Sequence, residues 1–106
     1  MISHPERNEI QLESVLHALS DPVRLRIARE LAEVDSERPC GSFEFPVTKS
    51  TMTHHFKVLR EAGVIRQRQE ATLRLTSLRR ADLDARFPGL LDRILEAAEG
   101  EAVVRA

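Results

Sequence analysis

Two adjacent histidines, His54 and His55, stand in the middle of a basic stretch whose sequence is TKSTMTHHFKVLREAGVIRQRQ, residues 48–69. Imidazole nitrogens can bind a metal ion or transfer a proton, so the pair suggests metal binding or catalysis. A metal ion held by one helix needs ligands three or four residues apart, because those residues share a face. Neighbouring residues lie about 100° apart around a helix. The spacing therefore predicts separate roles, with His54 exposed and His55 partly buried and hydrogen-bonded.

The remaining candidates for metal ligands are scattered along the chain. Cys40 is the single cysteine, so an internal disulfide and a site built from several cysteines are both excluded. His4, His17 and Cys40 are the metal candidates, and each would need carboxylates and a second subunit to complete a site. Such a site would suit nickel or zinc better than arsenic or cadmium, which favour several thiolates. A metal is one of several alternatives for the effector. The others are thiol chemistry at Cys40, another ligand, a partner protein, or no effector at all.

The sequence predicts that the protein is not an enzyme and identifies no cofactor. It contains no nucleophile with a partner base, no catalytic pair of carboxylates and no phosphate-binding loop.

The segment around the histidines has the pattern of a helix with one polar face. Thr48 is a suitable N-cap, and Gly63 suits the left-handed residue that ends many helices. Placing Met52 toward the core brings Phe56 and Leu59 beside it and leaves the hydroxyl, imidazole and lysine side chains outside or at the edges. This face could lie against nucleic acid.

The predicted DNA contacts lie on this helix and on the hairpin that follows it. They are Thr48, Lys49, Ser50, Thr51, Thr53, His54, Lys57, Arg60, Arg66, Arg68 and Arg74. Of these, Ser50, Thr51 and His54 are expected to reach base edges, while the basic side chains bind phosphates.

The charge is distributed unevenly along the 106 residues, although the net charge is only −1. Residues 49–80 contain eight basic and two acidic residues, a net charge of +6. The rest of the chain contains eight basic and fifteen acidic residues, a net charge of −7. A concentrated basic segment can meet a polyanion even when the whole chain is nearly neutral.

Hydrophobic periodicity predicts two helices before the basic segment. The first covers about 8–19, and the second begins at Pro22 with Asp21 as its N-cap. The stretch DSERPCGSFEFP, residues 35–46, contains prolines and a glycine and leaves room for no more than a short helix.

Two strands and a last helical segment are predicted after Gly63. The strands form a hairpin within about 64–78, with Leu73 and Leu75 alternating against polar residues. The last segment covers about 81–99 and is expected to kink or restart at Pro88. The predicted fold is therefore mainly α with a small β-hairpin wing, an α+β winged helix-turn-helix.

The first and last helices carry wide apolar stripes that so short a chain has little other structure to cover. Exposed apolar patches of this size indicate a partner. The side chains predicted to form a dimer contact are Leu12, Val15, Leu16, Leu90, Leu91, Ile94 and Leu95. A two-fold dimer would bind a palindromic site whose half-sites lie about one helical turn apart, or a multiple of it.

Two blocks of the sequence resemble the ArsR family of small winged-helix repressors. They are LHALSDPVRLRIARELAE, residues 16–33, and TKSTMTHHFKVLREAGVIRQRQE, residues 48–70. With the hairpin, the resemblance covers residues 12–78. It implies a homodimer joined mainly by the first and last helices, with each basic helix in a major groove and each wing touching the DNA backbone. It also implies repression that an effector relieves.

The sequence departs from the family pattern at the usual effector sites and at the wing tip. The Cys-x-Cys motif of metal-sensing members is replaced by RPCGSFEFP, residues 38–46, and residues 79–106 contain no histidine. No metal site is therefore carried over from the family. Ala71 stands where a wing-tip glycine is common.

The sequence thus predicts one winged helix-turn-helix domain over residues 1–106 that acts as a homodimeric, sequence-specific DNA-binding regulator, a repressor whose DNA binding an effector modulates. The partner is double-stranded operator DNA. The competing hypothesis is a protein-interaction module that kept the fold and lost DNA binding. No apolar run approaches the roughly 20 residues that cross a bilayer. The single cysteine and the lack of a secretory signal favour the cytoplasm.

Overall fold

The computed structural model describes residues 2–34 and 36–105, with side chains described up to Glu101. Its regular elements, in chain order, are α1 (Leu12–Ala18), α2 (Pro22–Val34), β1 (Arg38–Pro39), α3 (Lys49–Ala62), β2 (Ile65–Glu70), β3 (Leu73–Leu78), α4 (Arg80–Arg86) and α5 (Leu90–Arg105). Two short 3-10 helices, Arg7–Glu9 and Cys40–Ser42, precede α1 and follow β1.

The start of α2 follows the sequence prediction. A carboxylate oxygen of Asp21 accepts hydrogen bonds from the backbone N–H groups of Val23 and Arg24, at 2.9 and 3.1 Å. Pro22 occupies the first helical position, where its missing N–H costs nothing. Of the apolar residues of this helix, Ile27 and Leu31 are buried, whereas Val34 at its end is exposed.

Both predicted ends of α3 are confirmed. The Thr48 hydroxyl oxygen accepts the backbone N–H of Thr51, which caps the first turn. Gly63 ends the helix with φ at +87°, and a Cβ atom at this position would lie 2.6 Å from Cγ1 of Ile10. Glycine is required here by the backbone conformation and by the close approach of Ile10.

The sheet contains one strand that the hydrophobic pattern of the sequence did not predict. The strand order is β1-β3-β2, with both pairs antiparallel, and Arg38 of β1 pairs with Thr76 of β3. A strand of two residues is too short to produce a hydrophobic pattern, so β1 is visible only through its pairing.

The inner face of the hairpin differs from the prediction. Leu73 is 50% exposed near the tip, whereas Thr76 is fully buried and Leu75 is half-buried. The tip projects beyond the core, so an apolar side chain there has nothing to pack against. At the tip itself, Ala71 adopts a left-handed conformation with φ at +54°, which ordinarily favours glycine.

The predicted last helical segment, 81–99, is divided into α4 and α5, and the break falls at Pro88 and Gly89. The core lies between the helices and the base of the sheet. It comprises Ile10, Val15, Ala18, Leu19, Ile27, Ala28, Leu31, Phe43, Phe56, Leu59, Ala62, Val64, Ile65, Leu83 and Leu91. None of the described helices combines the length and apolar character needed to span a bilayer.

Candidate nucleic-acid interface

The outer face of α3 presents a row of polar side chains to the surroundings. Ser50, Thr53, His54 and Lys57 are exposed, as is Lys49 at the start of the helix. On the opposite side, His55, Phe56, Leu59 and Ala62 are buried, which holds the helix against the body of the protein. Ser50, His54 and Lys57 follow the spacing of one helical face.

Hydroxyl groups at the start of α3 are hydrogen-bonded to one another. The Thr48 hydroxyl donates to Oγ1 of Thr51 at 2.8 Å and lies 3.2 Å from Oγ of Ser50. The Thr53 hydroxyl donates to the backbone carbonyl of Lys49 at 3.0 Å. Thr51 is half-buried by its position in this cluster. Of the three residues predicted to read bases, Ser50 and His54 are therefore the more accessible.

A buried arginine positions α3 from behind. Arg24 of α2 is only 7% exposed, and its Nη1 lies 3.2 Å from Nδ1 of His55. The same guanidinium donates to the backbone carbonyls of Ala18, at 2.7 Å, and His17, at 3.2 Å. His55 is a buried structural residue, as predicted. The sequence did not predict the buried role of Arg24, because an arginine on a helix is ordinarily expected to extend into solvent.

The carboxylate of Asp21 completes this arrangement. It lies 3.8 Å from Nε2 of His55. Burial alone would raise the pKa of Asp21. The hydrogen bonds donated by the backbone N–H groups of Arg24 and Val23, together with the charge of Arg24, outweigh burial and lower it.

The three wing arginines differ in what they contact. Arg68 donates to both carboxylate oxygens of Glu37 at 2.7 Å and lies 2.6 Å from an oxygen of Glu70. The hydrogen bonds that Arg68 donates to Glu37, followed by its interaction with Glu70, raise the pKa of Arg68, and the same hydrogen bonds from Arg68 lower the pKa of Glu37. Arg66 is 3.5 Å from Asp82. Arg74 is exposed, and no ion pair to it occurs within residues 2–34 and 36–101.

These ion pairs reduce the basic character that the sequence predicted for residues 49–80. Carboxylates from distant parts of the chain, Glu37, Asp82 and Asp92, lie beside Arg68, Arg66 and Arg80 respectively. Lys49 and Lys57, like Arg74, have no ion pair among the described side chains.

Arg60, predicted as a DNA contact, is hydrogen-bonded within the chain. Its Nη1 donates to Oε1 of Gln67 at 2.8 Å, across the junction of α3 and β2. Gln67 in turn donates to the hydroxyl of buried Thr76 at 3.2 Å. Arg60 is half-buried, and its Nε is buried without a hydrogen-bond partner among the described residues. The i+3 and i+4 pattern of the helix predicted the edge position of Arg60 but not the strand packed beside it.

The three metal candidates lie on different elements. Nε2 of His4 accepts the backbone N–H of Gln67 at 2.9 Å, which occupies the lone pair that a metal would need. Burial lowers the pKa of His4, and the charges of Arg66, Arg79 and Arg60 lower it further. His17 is exposed on α1, and Cys40 begins the 3-10 helix after β1. Within the described part of the chain, no three histidine, cysteine or carboxylate side chains form a group that could hold a metal ion.

The predicted dimer residues fall into two groups. Leu12 and Leu16 of α1 are 43% and 46% exposed, and Leu90, Ile94 and Leu95 of α5 are half-buried. Val15 and Leu91 correct the prediction, because they are 1% and 3% exposed and pack inside the chain's own core. Val15 of α1 and Leu91 of α5 lie in one cluster of apolar side chains, together with Leu83 of α4.

Helix α3 has one buried face and one exposed polar face, and it is followed by the basic β2–β3 hairpin. This arrangement defines a winged helix-turn-helix module. A helix-turn-helix domain family matches residues 19–68. The chain is 35% identical over 82 residues to the uncharacterized HTH-type transcriptional regulator YceK of Bacillus subtilis (strain 168). The aligned residues cover 76% of this chain and 82% of that protein.

Solved structures share the fold along most of the chain. The ArsR-like transcriptional regulator from Rhodococcus sp. RHA1 superposes with a TM-score of 0.60 at 25% identity, and the superposition covers 89% of this chain and 84% of the Rhodococcus chain. The transcriptional repressor BigR from Xylella fastidiosa has a TM-score of 0.60 at 22% identity, with 90% and 86% covered. The chain belongs to the ArsR family of winged helix-turn-helix transcriptional regulators.

Proposed function

We propose that this regulator is a homodimeric, sequence-specific DNA-binding repressor that inserts α3 into the major groove of its operator. The observation that carries the proposal is the division of α3 into a buried face and an exposed face with Ser50, His54 and Lys57 in line. A helix fits the major groove, where a hydroxyl or an imidazole can exchange hydrogen bonds with base edges.

Phosphate contacts would come from the basic side chains that have no carboxylate beside them. Lys49 begins α3, Lys57 lies on its exposed face, and Arg74 lies on the wing. Arg66 and Arg68 are proposed as further contacts that exchange a carboxylate for a phosphate when DNA binds. Arg60 is left out of the proposed interface, since its guanidinium is bonded to Gln67.

The proposed dimer uses α1 and α5. Leu12 and Leu16 are large apolar side chains that the monomer leaves exposed, and Leu90, Ile94 and Leu95 are only partly covered. Pairing of these faces would place the two α3 helices on the same face of the dimer, related by its two-fold axis, so the operator would be palindromic. An effector that altered the packing of α1 or α5 would change the spacing of the two α3 helices and hence DNA affinity. An operator partner implies a cytoplasmic location.

A mobility-shift assay with the DNA upstream of the protein's own gene tests the proposal. We expect a shift that survives an excess of unrelated duplex at moderate salt and weakens in His54→Ala. The same shift competed equally by any DNA would contradict sequence-specific binding. No salt-dependent DNA binding at all would favour the protein-interaction module.

The effector is tested separately by calorimetry of the purified dimer with nickel, zinc and cobalt. Stoichiometric binding that disappears in His4→Ala or Cys40→Ser and changes DNA affinity would identify a metal sensor. Absence of heat with all three ions would direct the search to other ligands.

A further inference from the structure

Arg38 is the point where four parts of the protein meet. It lies on β1, where it pairs with Thr76 of the wing strand β3. Its guanidinium donates to Oε1 of Glu30 on α2 at 2.9 Å, and to the hydroxyl and backbone carbonyl oxygens of Ser42 at 3.1 and 3.0 Å. Arg38 thus joins the wing to α2 and to the segment that leads into α3.

The same guanidinium stacks on an aromatic ring that reaches α3. The Cζ atom of Arg38 lies 3.9 Å from the ring centroid of Phe43. Phe43 packs edge-to-face on Phe56 of α3, with the ring centroids 5.6 Å apart. Both phenylalanines are 6% exposed. A continuous chain of contacts therefore runs from the wing through Arg38 and Phe43 to the buried face of α3.

These contacts matter because the segment before α3 has little regular structure. After the single 3-10 turn at Cys40–Ser42, residues 43–48 form neither helix nor strand. Without a helix of its own in this segment, the approach to α3 is held by side chains. Phe43 is the buried anchor of the segment, and Arg38 covers its ring.

Arginine suits this position for reasons of geometry. Its planar guanidinium can donate in its own plane to Glu30 and Ser42 while its face covers the Phe43 ring. A lysine would keep the charge but could not combine the planar stacking with the fork of hydrogen bonds.

We propose that Arg38 is a positioning residue for DNA binding, which fixes the orientation of α3 relative to the wing without touching DNA itself. The proposal rests on the proposed DNA-binding function. If α3 and the wing contact the same operator, the angle between them must match the shape of the DNA. Loss of that angle lowers affinity for the operator, whereas binding to unrelated DNA, which depends on charge, is retained.

The test compares Arg38→Lys with Arg29→Lys, a control at an arginine of α2 that is half-buried like Arg38. Binding is measured by fluorescence anisotropy, over a range of salt concentrations, on the duplex that wild-type protein selects from a randomised pool and on an unrelated duplex. For Arg38→Lys we expect operator affinity to fall about tenfold or more, a loss comparable to one base-specific contact. Affinity for unrelated DNA and the slope of log affinity against log salt should stay unchanged. Arg29→Lys should behave as wild type.

Two results would overturn the proposal. Full operator affinity in Arg38→Lys would show that the contacts of Arg38 are not needed. Arg38→Gln removes the charge, and a salt slope reduced by about 0.9 in this variant, with weaker binding to both duplexes, would make Arg38 a phosphate contact instead. Wild-type protein that selects no duplex would refute the proposed function itself, and this is a separate observation in the same experiment.

A second variant keeps the test valid if Arg38→Lys fails to fold. Ser42→Ala removes an exposed hydroxyl that accepts from Arg38, so we expect a folded protein with a smaller loss of operator affinity and an unchanged salt slope. Spin labels at Thr53 of α3 and Thr72 of the wing tip, in a Cys40→Ser background without DNA, measure the distance between the two elements. The distance distribution should be broader in Ser42→Ala than in the protein with Ser42. An unchanged distribution with unchanged operator affinity would again overturn the proposal.

Discussion

Arg24 and His55 meet inside the protein with Nη1 of Arg24 3.2 Å from Nδ1 of His55. A guanidinium can only donate hydrogen bonds, so Nδ1 must accept and the ring proton of a neutral His55 lies on Nε2, toward Asp21. A doubly protonated ring would have no lone pair for Arg24. The contact therefore assigns the tautomer of His55, and it makes two adjacent histidines chemically different.

Replacing the two histidines separately should reveal this difference. His55→Ala leaves a buried guanidinium N–H without its acceptor and removes buried volume, so we expect the free energy of unfolding to fall by about 2–4 kcal/mol. His54→Ala changes an exposed side chain and should alter stability by less than about 0.5 kcal/mol. Urea unfolding at one fixed protein concentration measures both. Equal stabilities of the two variants would contradict the buried role of His55.

Gly63 should tolerate no side chain. In Gly63→Ala the new Cβ would need φ near +87° and would approach Cγ1 of Ile10 to 2.6 Å. We expect a loss of more than about 2 kcal/mol, because left-handed strain alone costs roughly 1–2 kcal/mol. Gly100→Ala is the matched control. Gly100 lies in α5 with nothing near its Cβ position, so alanine there should stabilise by about 0.5–1 kcal/mol. Thermal unfolding distinguishes the opposite signs.

The ion pairs of Arg68 should appear in the salt dependence of DNA binding. Lys57→Ala is expected to reduce the slope of log affinity against log salt by about 0.9, the value for one phosphate contact. Arg68→Ala should reduce it less, because Glu37 and Glu70 already offset the charge of Arg68. Glu37→Gln should raise affinity for unrelated DNA more than Glu33→Gln, which removes the same charge elsewhere. Identical slopes for Lys57→Ala and Arg68→Ala would mean that Arg68 is unpaired in solution.

The dimer face should depend on α1. Leu16→Glu places a charge in the proposed contact, so we expect monomers at micromolar concentration with weak operator binding. Val34→Glu is a matched control, since Val34 is 44% exposed and Leu16 is 46% exposed. Sedimentation equilibrium measures the assembly. Leu91 is unsuitable for this purpose, because glutamate at a buried core position would unfold the monomer. A wild-type monomer would refute the dimer.

Acid should weaken the start of α2 through Asp21. The pKa of Asp21 is lowered in the folded protein, so its carboxylate contributes stability above the ordinary aspartate range. That contribution is lost as the pH falls below about 4 and through the folded pKa. Asn can also cap a helix, so Asp21→Asn should stay near wild type at neutral pH and lose less stability on acidification. Parallel stability curves from pH 7 to pH 3 would contradict this.

Much of the fold could be predicted from local patterns. Apolar spacing and the residues that interrupt it determined the ends of α2 and α3 and the break at Pro88, because a cap, a left-handed glycine and a proline each act within one turn of helix. The same spacing identified the exposed face of α3 with Ser50 and His54. These features depend on a residue and its near neighbours, so one sequence is enough to recognise them.

The partners of the arginines were decided only by the tertiary structure. Arg24 and His55, and likewise Arg68 and Glu37, are separated by 31 positions in the chain, and Arg79 and Pro5 by 74. A long guanidinium side chain can be solvated, paired with a carboxylate or buried among carbonyls, and its own sequence position favours none of these. The sequence alone determined which faces are polar. Which of the basic side chains remain free for DNA depended on where the packed helices and sheet brought distant carboxylates and carbonyl groups.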